Sequence, residues 1–150
     1  MKIELRNVEY AAFASQETHC FSATIYVDGK KAGTVSNQGR GGPDNIEPYA
    51  LQQRIDAYAK TLPLIDCTEF GGTGTMPSSA EIIIGDLLNA YLEERDLKRL
   101  CTKKTLFRIP TEEYAEGEYR TVKAKFSPAV KTYLVNKYGG DVVILNERFR

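Results

Sequence analysis

Cys20-Phe21-Ser22-Ala23-Thr24-Ile25-Tyr26-Val27-Asp28-Gly29 is the stretch on which the fold turns. Phe21, Ala23, Ile25 and Val27 alternate with Ser22, Thr24 and Tyr26, so a strand here has one apolar and one mixed face. Asp28-Gly29 then suits a two-residue type I′ turn, whose central positions both need positive φ. The chain reverses there, and Lys30 through Asn37 return as the partner strand. Upstream, Ile3 and Leu5 share a face, and Val8 and Tyr10 follow after a phase slip at Asn7, which predicts a bulged strand over residues 2–10. The first third therefore reads as a three-stranded antiparallel meander.

Beyond it, Gln38-Gly39-Arg40-Gly41-Gly42-Pro43-Asp44-Asn45 fits no regular element. A helix is predicted to open near Pro48, a residue favoured at the first helical position, with Leu51, Ile55, Tyr58 or Ala59, and Leu62 on one face and Pro63 as its stop. Residues 66–77 form a second loop around Gly71-Gly72-Thr73-Gly74. Ser78-Ser79-Ala80-Glu81 has the form of a capping box, Ser78 with Glu81, opening a long helix to about Lys103. Ile83, Leu87 and Leu97 recur along it at helical spacing, as do Ile84, Leu88 and Leu92, so it is expected to be the central core helix.

Thr105–Ile109 and Tyr119–Val122 read as a second hairpin across a polar turn containing Gly117. Ser127-Pro128 supplies N-cap and first-turn chemistry for a third helix. Its buried stripe would be Val130, Tyr133, Leu134 and Tyr138, with Gly139-Gly140 as its stop. Val142–Leu145 closes the chain as a short strand. The order βββ–α–α–ββ–α–β predicts an α+β fold, a mostly antiparallel sheet packed on a long central helix, in a single domain over residues 1–150.

Composition agrees with a folded domain: of 150 residues, 42% are hydrophobic and 27% charged. The longest apolar run, Ile82-Ile83-Ile84, is far short of the ~20 residues of a membrane span. The first residues alternate like a strand and lack the apolar core of a signal peptide. A cytoplasmic protein with no membrane partner is expected. Cys20, Cys67 and Cys101 are an odd, widely spaced set that suggests thiols and not a disulfide framework. Net charge is zero but uneven: residues 1–97 hold eight Lys/Arg against fourteen Asp/Glu, and residues 98–150 hold twelve against six. That distribution excludes an acidic mimic of DNA and permits a basic face.

Two stretches could carry a site. Gly39-Arg40-Gly41-Gly42, with Asn45, could turn backbone N–H groups onto an anion while Arg40 clamps a phosphate. The spacing matches neither a Walker A loop nor a dinucleotide fingerprint, and a loop needing several positive φ values would look the same. Lys98, Arg99, Lys103, Lys104 and Arg108 form a basic cluster. Helical spacing puts Arg99 beside Lys103, and Tyr91, Phe107, Tyr114 and Tyr119 are aromatic neighbours in sequence. Interleaved cations and aromatics suit nucleic acid, while the same cations at a helix C-terminus also offset its macrodipole.

No catalytic constellation stands out. His19 and Cys20 point to opposite faces of a strand and cannot pair as base and nucleophile. His19 with the three cysteines lacks the Cys-x-x-Cys anchor of a zinc site. Glu93, Glu94 and Asp96, and Glu112, Glu113, Glu116 and Glu118, read as solvated surface. No cofactor, metal or catalytic residue is expected.

Glu17-Thr18-His19-Cys20-Phe21, Ile25 through Lys30, Ser36-Asn37 and Gly41-Gly42 resemble segments of small accessory proteins of phages, prophages and plasmids, as do Glu116 through Thr121 and Ile144 through Phe149. The resemblance implies a mobile-element setting, in which many accessory proteins inhibit host defence, anti-CRISPR proteins among them. It carries over no functional residue. The expectation is a non-enzymatic binding protein whose partner is a host protein or ribonucleoprotein defence complex. The alternatives are a small nucleotide ligand or a small enzyme site at the Gly39–Gly42 loop, and a nucleic acid on the basic C-terminal part. A second copy of the chain is a further partner class.

Overall fold

The computed structural model describes residues 1–149. The chain is an α+β protein in which every strand pairing among the described residues is antiparallel. The strands form three sheets where one was expected. By its contacts the chain divides into two compact units, Met1–Asn89 and Ala90–Arg150. No helix among the described residues is long and apolar enough to cross a membrane.

The first unit holds a four-stranded sheet in the order β1 (Ile3–Tyr10), β2 (Cys20–Val27), β3 (Lys30–Gln38), β4 (Asn45–Glu47). Phe21, Ala23, Ile25 and Val27 are buried, as the alternation in β2 requires. Asp28 and Gly29 take φ values of 51° and 82°, the positive pair that a tight reversal needs. Asp28 also ties the turn to the start of β1: its Oδ1 accepts from the Lys2 N–H at 2.8 Å, and its own N–H donates to the Lys2 carbonyl at 2.8 Å. The phase slip at Asn7 is a β-bulge, with φ of 53° and a register jump between Arg6 and Glu9. The meander gains a fourth strand because Ile46 pairs with Val35 and is buried there. Three residues are too few for an alternation to show in sequence.

Helix α1 (Tyr49–Ala59) starts one residue later than Pro48 suggested. Pro48 is the N-cap, and its carbonyl accepts from the Leu51 N–H at 2.9 Å. Leu51, Ile55 and Ala59 are its buried face, and Lys60 ends it before Leu62 and Pro63 are reached. The second loop is closed at its base by a two-residue pair, β5 (Ile65–Asp66) with β6 (Thr75–Met76). Helix α2 (Ala80–Cys101) buries Ala80, Ile84, Leu88 and Leu92. Its start departs from the expected capping box. Ser79, not Ser78, accepts from the Ile82 N–H at 3.3 Å, and Asp56 accepts from the Ala80 N–H at 2.8 Å. Glu81 turns away to the Asp44 N–H at 3.2 Å, so a longer-range bond replaces the local one.

The second unit holds a three-stranded sheet in the order β8 (Arg120–Val122), β7 (Thr105–Arg108), β9 (Val143–Ile144). Phe107, Ile109, Leu134 and Ile144 form its core, flanked by Val122, Phe126, Val130, Tyr138 and Val142. Helix α3 (Pro128–Tyr138) is capped as its sequence predicts, with the Ser127 hydroxyl accepting from the Val130 N–H at 3.2 Å. Leu134 is its buried residue. Tyr133 lies on the exposed side, where its hydroxyl accepts from Lys137 Nζ at 3.2 Å.

Candidate functional site

The glycine loop is organised around one side chain, Asn37, near the end of β3. Its Oδ1 accepts from the Gly39 N–H at 2.8 Å and from the Thr18 hydroxyl at 2.8 Å. Its Nδ2 donates to the Gly42 carbonyl at 3.0 Å and to Asp44 Oδ1 at 3.0 Å. Two donors and two lone pairs are all that a side-chain amide has, so Asn37 is fully used. Thr18 accepts in turn from the Gly41 N–H at 3.4 Å. The two amides proposed for an anion, those of Gly39 and Gly41, are thereby turned onto Asn37 and Thr18.

Around the loop the charges are mostly negative. The carboxylate of Glu17 occupies the place where a side chain on Gly41 would be. Burial pushes the Asp44 carboxyl above its ordinary range; the Asn37 hydrogen bond pulls it back in part, and the charge of Glu81 raises it further. Arg40, Gly42 and Asn45 line a depression of about 350 Å³ with Ser36, Gln38 and Pro43. Arg40 is exposed and makes no hydrogen bond or ion pair among the described residues. Asn45 donates to Glu47 Oε1 at 3.2 Å. Gly39 does not line this depression and is buried.

What Gly39 does is visible on its other side. Its carbonyl accepts from three successive N–H groups, Gln16 at 3.1 Å, Glu17 at 3.0 Å and Thr18 at 3.4 Å. Its φ of +82° favours glycine, and a Cβ there would collide with the Ala14 carbonyl and with Cys20 Cβ. The loop therefore grips the connection between β1 and β2. That connection is tied at its own ends as well. Ala11 N–H donates to the Cys20 carbonyl at 3.0 Å. The Ser15 hydroxyl donates to the Ala11 carbonyl at 2.8 Å and accepts from the Cys20 N–H at 2.8 Å.

At the apex is a 3-10 turn, Ala12–Ala14, and from it Phe13 projects with 92% of its surface exposed. A phenylalanine this exposed on a segment this heavily bonded is a side chain held out in the solvent. Sequence reasoning passed it over because it lies between two strands and shares no periodicity with them. The available signal was its setting, one large aromatic among small residues in Ala11-Ala12-Phe13-Ala14-Ser15.

His19 stands next to this segment with neutral partners on both ring nitrogens. Tyr10 Oη lies 3.3 Å from Nδ1 and Asn89 Oδ1 lies 3.2 Å from Nε2. A carbonyl oxygen only accepts, so Nε2 is the donor toward Asn89, while the Tyr10 hydroxyl can serve Nδ1 as donor or acceptor. The three cysteines are free thiols. Burial pushes the Cys101 thiol up, against a smaller pull downward from Arg148, which is the opposite of an activated nucleophile. Among the described residues no group of three or more His, Cys, Asp or Glu side chains could hold a metal ion.

Of the basic cluster, Arg99, Lys103 and Lys104 line one depression of about 530 Å³, together with Asp96, Leu100 and Thr102. Lys98 lines the next, which also holds Thr102, Lys125 and Phe149. Arg108 is employed elsewhere. Its guanidinium donates to the carbonyls of Glu118 at 2.8 Å and Ala115 at 3.3 Å, and stacks 4.1 Å over the ring of Tyr119. It staples the turn between β7 and β8. The aromatic neighbours divide likewise: Phe107 is core, Tyr114 and Tyr119 lie under Arg108, and Tyr91 lines a further hollow with Lys98 and Phe149.

The backbone beneath the cluster is fixed by Asn146, a buried residue that composition and periodicity do not mark. Its Nδ2 donates to the carbonyls of Cys101 at 3.1 Å and Lys104 at 2.8 Å, and its Oδ1 accepts from the Leu106 N–H at 2.9 Å. It thus satisfies the carbonyl of the last residue of α2 and one in the turn into β7. No family model, no curated protein and no solved structure matches this chain, so its sites are read from their own geometry.

Proposed function

We propose that this chain is a non-enzymatic binding protein that works by occupying a macromolecular partner, with Phe13 as the anchor of the contact. The observation that carries the reading is the pairing of near-complete exposure at Phe13 with a turn closed by hydrogen bonds on every side. Exposing a large apolar side chain to water is unfavourable, and ordering a loop costs conformational entropy. A partner that buries a preorganised aromatic gains the hydrophobic term without meeting the ordering cost again.

The resemblance to mobile-element accessory proteins supplies the class of partner. The reading is inhibition of a host defence complex, protein or ribonucleoprotein, in the host cytosol. No second reading is favoured at the Gly39–Gly42 loop, whose amides and neighbouring carboxylates suit an internal brace better than an anion cradle.

Tagged protein recovered from a host with active defence systems, alongside a phage-plating assay, tests the proposal. The expected result is a defence component that co-purifies with the wild type and is lost with Phe13→Ala, with plating restored only by the wild type. Truncating a central anchor costs about 2 kcal/mol or more of binding, roughly thirtyfold in Kd. Absence of any rescue, or a Phe13→Ala variant as active as the wild type, overturns it.

A further inference from the structure

The cations of the second unit divide sharply by partner. Arg95 pairs with Asp96 at 3.5 Å, Arg120 with Glu112 at 2.8 Å, Lys131 with Glu147 at 3.1 Å and Arg148 with Glu94 at 3.1 Å. Arg108 is spent on carbonyls and tyrosine faces, and Lys137 on the hydroxyl of Tyr133. The side chains of Lys98, Arg99, Lys103, Lys104, Lys123 and Lys125 make no hydrogen bond or ion pair among the described residues.

Five of those six line the two depressions that share Thr102, at the C-terminal end of α2. The one carboxylate lining either depression, Asp96, is held by Arg95. A surface meant only for solubility gains from interspersing both signs. Here Glu94, Glu112 and Glu147 are matched to cations elsewhere in the unit, and Asp96 is the single acid lining this surface. Helix-dipole compensation explains a cation or two in the last turn of α2, but not Lys104 and Lys125, which lie beyond the helix.

We propose that this surface binds the phosphodiester backbone of a nucleic acid, without reading its bases. Like charges held close together at one place are what a chain of regularly spaced phosphates complements, with release of its condensed counterions as the driving force. Asn146 fixes the backbone that bears Lys103 and Lys104, so the ordering cost there is met in folding. Exposed Leu100 and half-buried Phe149 give the same surface apolar ground for sugars or unstacked bases. The inference does not depend on Phe13 or on a defence complex.

Fluorescence anisotropy of labelled 20-nucleotide probes tests it, with single-stranded RNA, single-stranded DNA and duplex DNA as separate arms. Binding to at least one probe is expected at ~50 mM salt, with log K falling linearly with log salt. Removing one contacting cation should lower that slope by ~0.7 on a single strand or ~0.9 on a duplex. R99E/K103E should abolish binding while its thermal melt matches the wild type, and Lys98→Gln with Lys125→Gln should weaken it independently. Lys131→Gln, already paired, and Phe13→Ala should leave it unchanged. Absence of binding to all three probes, or undiminished binding by both the reversal and the Gln variants, overturns the proposal.

Discussion

The carbonyl of Ala14 occupies the place where a Cβ on Gly39 would lie, leaving no room for a side chain there. The glycine that begins the unusual loop is therefore a packing surface for the segment that presents Phe13. Gly39→Ala meets two penalties, a left-handed backbone and a collision with backbone atoms that cannot rotate away. Together they should destabilise by roughly 2–4 kcal/mol. Gly42, with open space around its Cβ position and no positive φ, is the control. Denaturant melts of Gly39→Ala and Gly42→Ala should differ by most of that amount.

Asn146→Ala should be among the costliest polar truncations in the second unit. It strands two carbonyls and one N–H around a buried position, at about 1 kcal/mol or more for each lost bond. Lys103→Ala, two residues beyond α2, should change stability by no more than ~0.5 kcal/mol. Urea denaturation of both separates a structural residue from the charge it positions.

Asp44 gives a pH signature. Its folded-state carboxyl titrates above the ordinary 3.8, so ionisation is harder in the folded chain than in the unfolded one. The resulting penalty is absent below pH 3.8, grows as pH rises through the raised value and is constant above it. Asp44→Asn keeps an acceptor for Asn37 and removes the charge beside Glu81. Its stability relative to wild type should therefore improve from the acid range toward neutrality and then level off, as read from denaturant midpoints across pH.

A thermal-shift screen of linear and cyclic nucleotides should be flat. A ligand at 100 times its Kd would stabilise by about 2.7 kcal/mol. The Gly39 and Gly41 amides face inward and Glu17, Asp44 and Glu81 surround the loop, so no such shift is expected and Arg40→Ala should behave as wild type. A shift abolished by Arg40→Ala would restore the anion reading.

The parts of the fold legible in sequence are those where a local pattern meets the energetic demand by itself. β2 alternates, Asp28-Gly29 must turn, Asn7 interrupts a period, and Ser127-Pro128 caps a helix. Each is settled within ten residues. The parts that were not legible depend on partners distant in the chain. Ile46 becomes strand because Val35 is there to pair with it. Glu81 leaves the capping box because the Asp44 N–H competes for it. Asn146 reaches back to Cys101 and Lys104, more than forty residues earlier. Lys98, Arg99, Lys103 and Lys104 were legible as a cluster, but the loss of Arg108 to the hairpin turn was not, since that depends on the β7–β8 register. Phe13 escaped because exposure, its one distinction, leaves no periodic trace.

The bulge at Asn7 has a further effect, on how copies of the chain meet. β1 is the outer strand of its sheet, and an outer strand offers unpaired amides to any other strand that can lie flat against it. Here the strand is broken in the middle by a residue with φ of 53°, and its first half carries Glu4 and Arg6, ion-paired with each other and, through Glu4, with Lys2 just before the strand. A second strand could keep register with only three or four residues before meeting a kink and a row of charges. Growth of the sheet from molecule to molecule is thus disfavoured at β1, the edge at which the sheet begins.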